Sequence, residues 1–516
     1  MNGTLRAFSK SLAGIPLLWF MLGGLLFLYL PFFLPGPTPI WLSGDQAVYL
    51  VNATRIVQGQ VIYRDFCQYT LPGTELVYAG LFRLLGIRSW IPNVLLILLG
   101  LSLAWLSVSI SRKVLDRRSA FLPGLLFLVV PFRHMLNGTH HWFSALAVMA
   151  AVAVVIEKRT LARLAAAGAL CGLAAFFTQA RGLAAILGLA VFLLWEHWQE
   201  KQSGTFLKRE LYLLLSFLAT QIATNAYFIF KVGLGAFWDC TVTFGLRHYS
   251  AHSEANSLKA YMLGLPLVPP WRHLPTLGVW LFIHGLLPLV YLLFFFRYRR
   301  EVQARPEEPW DRLMLLSIVG LFLFLGVAPA PNWFRLCSIS LPELILLVWL
   351  VNSMRSFRAL LLGCLWIVAG ILAVTEPWPA RIHWHGYLDL PTGRTAFPTQ
   401  DSYDKYKWVL QRTRPSEFFF DGASLPRMYF PLGLRNPAKV PFFTTTDYTR
   451  PEQVEDALGA LERHKVRFVV WALELDMPPL DRPEGDHLGP LRAYLRARYH
   501  VVKVFPDFDQ VWERNR

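Results

Sequence analysis

Charge is scarce in this sequence. Only 16% of its 516 residues are Asp, Glu, Lys or Arg, against 54% hydrophobic and 15% aromatic, so apolar runs are weighed as membrane spans before any soluble fold. Cysteine is scarce too. Cys67, Cys171, Cys240, Cys337 and Cys364 are odd in number and show no CxxC spacing, which argues against a zinc site and a disulfide framework. One bridge stays open, between Cys67 and Cys240 in the two long loops. The net charge of +16 lies largely in short turns between apolar runs, where membrane topology accounts for it without nucleic acid.

Eleven apolar runs lie at roughly 13–34, 90–110, 119–133, 141–156, 161–177, 183–196, 211–230, 277–296, 313–330, 339–354 and 359–375, each near the length a hydrocarbon core demands. The first is too long, and too poor in a small-residue cleavage site, for a removed signal peptide. Basic clusters occupy alternate loops at 112–118, 157–163, 208–210, 297–300 and 355–358. These loops and the N-terminus are therefore expected in the cytoplasm, and 35–89, 231–276 and everything after about 376 outside it. The predicted architecture is a polytopic α-helical membrane domain, 1–375, in the plasma or inner membrane, with outer loops 35–89 and 231–276.

Residues 376–516 differ in composition. Charge rises and apolar residues come in bursts at 418–420, 466–473 and 500–505, which read as buried strands. Helix-like stretches at 450–465 and 489–499 lie between them. This alternation predicts an extracytoplasmic α/β domain, and neither GxGxxG nor GxxxxGK[ST] occurs in it to mark a nucleotide site.

The first outer loop is readable in detail. Ser43 and Gln46 have capping-box spacing, a helix is predicted from there to Gln58, and Gly59 closes it. A second helix, from Pro72 to Gly86, carries Leu76, Val77, Leu81, Leu84 and Leu85 and is predicted to lie in the membrane interface.

Asp45 just past the first span, Tyr49 four residues on, Gly59 followed by Tyr63-Arg64-Asp65, and the helix opened by Pro72 together resemble the first outer loop of GT-C glycosyltransferases, above all the protein mannosyltransferase and aminoarabinose transferase group. That resemblance implies a hexosyl- or pentosyltransferase of the cell envelope. It would move a sugar from a polyprenyl-phosphate-linked donor to an acceptor hydroxyl on a glycan, lipid or protein, at the extracytoplasmic face, by an inverting displacement. It also makes Tyr49 and Tyr63 substrate-binding candidates. Two departures stand out: relatives often carry Asp-Glu where this chain has Asp45-Gln46, and Lys-Pro-Pro where it has Thr70-Leu71-Pro72.

The chemistry divides the tasks. The acceptor hydroxyl loses a proton as the new bond forms, and Asp45 is the expected base, with plain helix-dipole stabilisation the alternative. Asp65 has three readings: orienting the acceptor, joining Asp45 around a divalent metal, or a salt bridge with Arg64 or Arg55. No other cofactor is implied. A lipid phosphate leaving group calls for a cation near the outer membrane surface, and the planar fork of Arg suits it. Arg133, Arg181 and Arg335 each fall in a short outer turn, against the positive-inside trend. Arg335 ranks first and Arg181 second, with snorkelling to headgroups the alternative for each. His140 and His141 are donor- or acceptor-binding candidates, or a polar helix start.

A transporter or flippase of lipid-linked sugars is the competing class. It would line ionisable groups along the midplane, whereas Gln221, Asn225, His284 and Glu343 are scattered among the spans.

Overall fold

The computed structural model describes all residues except 1, 201–205, 250–273, 329–330, 355, 383 and 479–485, so most of the expected loop 231–276 lies outside the described residues. The chain begins with α1 (Asn2–Phe32) and the outer-loop helices α2 (Gln46–Val57) and α3 (Gly73–Leu85). Then come α4 (Trp90–Ser111), α5 (Ser119–Met135), α6 (His140–Val155), α7 (Leu161–Phe177) and α8 (Gln179–Glu200). After α9 (Phe206–Val232) and α10 (Thr276–Glu301), α11 (Trp310–Val327), α12 (Trp333–Asn352) and α13 (Arg358–Thr375) complete the bundle.

Seven of these, α4 and α8 to α13, are long and apolar enough to cross a membrane. The apolar part of α1, Pro16–Phe32, with α5, α6 and α7, occupies the other expected positions. These four fall short of 18 residues, about 25 Å of helix against a hydrocarbon core of about 30 Å. Burial ranks the spans: α12 is 89% buried over its most apolar stretch and α13 only 6%. α12 is therefore the centre of the bundle and α13 its periphery.

Two expected boundaries move. α8 starts at Gln179 and α12 at Trp333, so Arg181 and Arg335 sit in the first turns of spans and not in the turns before them. The reason at α12 is a cap: the Asn332 side chain accepts from the Arg335 N–H at 3.1 Å, which lets the helix begin among polar residues.

Beyond 376 lie a hairpin of β1 (Gly386–Leu390) and β2 (Gly393–Phe397), then α14 (Gln400–Leu410), β3 (Phe420–Gly422) and α15 (Pro451–Arg463). The chain ends with β4 (Phe468–Trp471), α16 (Gly489–Arg498), β5 (Tyr499–Val504) and β6 (Gln510–Arg514). The four-stranded sheet runs β3-β4-β6-β5, with β3 parallel to β4 and the other pairs antiparallel. Apolar bursts mark β3, β4 and β5 in the sequence. The polar strand β6, QVWER, has none, and its place comes from pairing on both edges.

This segment shares a core with the first outer loop. Phe430 stacks on Phe82 of α3 at 5.5 Å and on Trp41 at 6.4 Å, within a buried cluster that also takes in Tyr49, Tyr78 and Phe419. Arg55 of α2 donates to the Ala438 carbonyl at 2.9 Å, and the Cys67 N–H donates to Lys439 at 3.0 Å.

Candidate active site

The N-terminus of α2 is tied down from a distance. The Gln46 N–H donates to Asn137 Oδ1 at 2.9 Å, Gln46 Nε2 donates to Leu42 O at 2.7 Å, and Gln46 Oε1 accepts from the Gly138 N–H at 3.0 Å. The expected Ser43–Gln46 capping box is not what forms: the turn between α5 and α6 supplies the cap. Asp45, at the N-cap position, makes no capping bond with its side chain. Its carboxylate is left for the space in front of the helix.

Gly44 makes this approach possible. Its φ is +138°, and a Cβ there would stand 2.5 Å from Asn137 Nδ2. Gly44→Ala is expected to cost about 1–3 kcal/mol through strain and displacement of the cap, read as a lower thermal midpoint in detergent. An unchanged midpoint would mean that the Asn137 contact is dispensable. The Asn52 and Asn137 N-x-T triplets are both buried, which keeps them from serving as glycosylation sites in the folded chain.

In front of α2 lies a cavity of about 1150 Å³, lined by Asp45, Tyr49, His140, His141, Arg181 and Arg335. Tyr49 follows Asp45 by four residues and so lies on the same helix face. Its ring is 5.7 Å from that of His140. Farther in, the wall turns apolar, with Leu183 of α8, Phe217 of α9 and Leu323 of α11. Asp45 keeps solvent access at the mouth of this cavity, yet much protein is packed around its carboxylate. Burial therefore raises its pKa above the ordinary carboxylate value, while the positive charge of Arg335 pulls the other way.

Arg181 is only 3% exposed. Its guanidinium donates to Ser144 Oγ and Ser338 Oγ at 2.6 Å each and to the His141 carbonyl, and its Nε–H has no partner. Among the described residues no carboxylate forms an ion pair with it. A buried cation held by neutral groups alone retains affinity for an anion entering the cavity. His140 Nδ1 meets Thr178 Oγ1 at 2.7 Å, so the two histidines belong to this polar end of the cavity.

Three sequence candidates lie elsewhere. Asp65 pairs with Arg64 at 2.8 Å and accepts from the Val61 N–H at 2.7 Å; the Arg64 bond is the main cause that lowers its pKa. Tyr63 donates to Thr70 O at 2.6 Å, with its ring edge-on to Phe228 and Phe237. Arg133 donates to the Glu376 carbonyl at 3.0 Å and pairs with its carboxylate at 3.5 Å. None of the three lines the cavity. Asp65 and Tyr63 shape the loop that delivers Gln68, Tyr69 and Thr70 to it. Asp65 does not line the cavity that Asp45 lines, and among the described residues no group of three or more His, Cys, Asp or Glu is placed to hold an ion. Cys67 and Cys240 are both free thiols lining one small pocket of about 70 Å³.

Sequence reasoning also passes over Tyr69, Gln179 and the lid from the C-terminal segment, Thr444, Thr446 and Tyr448. Tyr69 stacks on Phe244 at 5.2 Å and meets Tyr448 at 5.8 Å, joining both outer loops to the C-terminal segment. Tyr69 has a sequence signal, its place in the recognisable first loop. Tyr448 has none.

A carboxylate and two guanidiniums in a cavity walled by apolar helices, seven of them long and apolar enough to cross a membrane, define an integral membrane protein with a site at one end of its bundle. No family model matches the sequence, and no curated protein matches it. Solved structures do. The chain is similar to ArnT from Cupriavidus metallidurans in the apo state, with a TM-score of 0.59 at 14% identity over 96% of this chain and 97% of that one. The form of ArnT bound to undecaprenyl phosphate gives 0.55 at 14% identity, over 97% and 98%. The archaeal oligosaccharyltransferase AglB from Archaeoglobus fulgidus, in complex with an inhibitory peptide and a dolichol-phosphate, gives 0.53 at 14% identity over 99% of this chain and 75% of that one. These are GT-C glycosyltransferases, and the chain has their fold.

Proposed function

We propose that the protein is a membrane glycosyltransferase that takes its sugar from a polyprenyl-phosphate-linked donor. The observation that carries this reading is the cavity itself. One space joins the Asp45 carboxylate, Arg335 and the buried Arg181 to an apolar wall between spans. A donor with a lipid tail, a phosphate and a sugar to be transferred needs an apolar wall, a cation and a base in one space. ArnT bound to undecaprenyl phosphate and AglB with a dolichol-phosphate have the same fold.

In this reading the donor phosphate lies against Arg335 and Arg181, and the acceptor enters past Tyr69 and Tyr448. The acceptor hydroxyl hands its proton to Asp45 as its oxygen bonds to the sugar carbon, and the bond from that carbon to the phosphate oxygen breaks, giving inversion. The guanidiniums receive the charge that grows on the phosphate. The site faces out of the cytoplasm: a reporter fused after Arg516 is expected to work only outside and one fused after Arg300 only inside, and the reverse at either point overturns the orientation.

The assay that separates this reading from a flippase uses purified protein in liposomes with labelled polyprenyl-linked sugar. A transferase releases the sugar from the lipid or passes it to an acceptor. Movement of intact lipid between leaflets, with no cleavage under any acceptor tried, would end the transferase reading.

A further inference from the structure

Behind the cavity wall sits a carboxyl that this mechanism leaves unused. Glu75, in the first turn of α3, is fully buried. One of its oxygens accepts from Gln68 Nε2, and the other has no hydrogen-bond partner. Gln68 in turn accepts the Tyr69 N–H on its Oε1 at 2.9 Å. Both Gln68 and Tyr69 line the cavity that holds Asp45. A chain of two hydrogen bonds therefore runs from Glu75 through Gln68 to the Tyr69 backbone in the wall of the cavity that holds the proposed base.

The surroundings favour a neutral carboxyl. Asn52 of α2 adjoins it, fully buried, and its amide is directed at the carboxyl. The titratable groups that face it are the phenols of Tyr49 on α2 and of Tyr63 and Tyr69 on the loop. Towards α7, the start of α3 meets Phe176 and Phe177 at Gly73. On α6, His140 touches Tyr49. Among the described residues no Lys or Arg pairs with Glu75. Burial accordingly pushes its pKa up to about 7, with the Gln68 bond the chief opposing influence.

We propose that Glu75 is a positioning residue, whose neutral carboxyl holds Gln68 and through it the Tyr69 segment of the cavity wall, and whose ionisation loosens that wall. A neutral carboxyl can offer an O–H to the Asn52 amide oxygen while its other oxygen accepts from Gln68, which leaves Gln68 to grip Tyr69. An ionised one takes up solvent or reorients both amides. The proposal rests on the transferase reading only for its effect on turnover.

Glu75→Gln fixes the neutral form, and Gln68→Ala cuts the link. Hydrogen exchange of a peptide containing Tyr69 is compared at matched pH, without substrate. At pH 8.5 this peptide is expected to exchange several-fold faster in the parent protein than in Glu75→Gln, and at pH 6 at the same rate. Gln68→Ala should exchange fast at both. Equal exchange of the parent and Glu75→Gln at pH 8.5 overturns the proposal, as does slow exchange in Gln68→Ala. In transfer assays, the parent's turnover is expected to fall above pH 7, and Glu75→Gln should keep the parental turnover at pH 6 and lose that fall; the same fall in both proteins also overturns the proposal. If the exchange result holds while no sugar transfer is ever found, the transferase reading fails and the positioning role stands.

Discussion

Asp45→Asn is expected to cut turnover by roughly two to four orders of magnitude, the usual worth of a general base, while donor binding and the thermal midpoint stay close to parental. Both halves follow from the geometry. The side chain makes no capping bond, so its loss leaves the start of α2 held by Asn137. The amide cannot accept the acceptor's proton. The pH profile carries a second expectation. Burial raises the Asp45 pKa and Arg335 opposes that rise. Activity should therefore fall on the acid side at a pH above the ordinary carboxylate range, because the base is protonated there. Removing the Arg335 charge takes away the opposing influence and should move the acid limb to still higher pH. Near-parental turnover in Asp45→Asn would remove this residue from the mechanism.

Arg335→Ala should weaken binding of undecaprenyl phosphate by about 1.5–3 kcal/mol, roughly 10- to 150-fold, as for a charge-assisted contact. It should slow transfer as well, since charge grows on the phosphate as the bond breaks. Arg335→Lys should recover only part of this for want of the planar fork. The comparison variant is Arg181→Lys, in which an ammonium replaces a guanidinium that already donates to Ser144, Ser338 and the His141 carbonyl. A lysine reaches fewer of these, so binding should fall and the thermal midpoint should fall with it. Calorimetric titration of protein in nanodiscs separates the two sites. Unchanged phosphate binding in both variants would mean that the anion lies elsewhere.

Glu75 illustrates a limit of periodicity. α3 has an apolar face by spacing, Leu76 to Leu85, yet Leu84 and Leu85 are exposed and Glu75 is fully buried. The helix is gripped on the Glu75, Tyr78 and Phe82 side by α2 and the C-terminal segment. Which side of an amphipathic helix meets protein and which meets lipid depends on neighbours distant in sequence. Arg133, Arg181 and Arg335 make the same point. All three have the same signature, a lone Arg at an outer helix end, but Arg133 is taken by Glu376 while the other two face the cavity.

What the sequence by itself determines here is local. Hydropathy runs set the eleven apolar positions, the alternation of bursts sets three strands and two helices beyond 376, and spacing puts Asp45 and Tyr49 on one face of α2, because each depends on residues within a turn or two of one another. Tertiary structure alone decides which side chains share a space. Asn137 comes to α2 from 91 residues away, and with that cap in place the Asp45 carboxylate faces the cavity. Tyr448 closes over Tyr69 from the far end of the chain. Asp65, the most conspicuous partner for Asp45 in the loop, is drawn off by the adjacent Arg64. The physical reason is that a buried or half-buried polar group goes to the partner that folding brings within about 3 Å, and sequence distance carries no record of that approach.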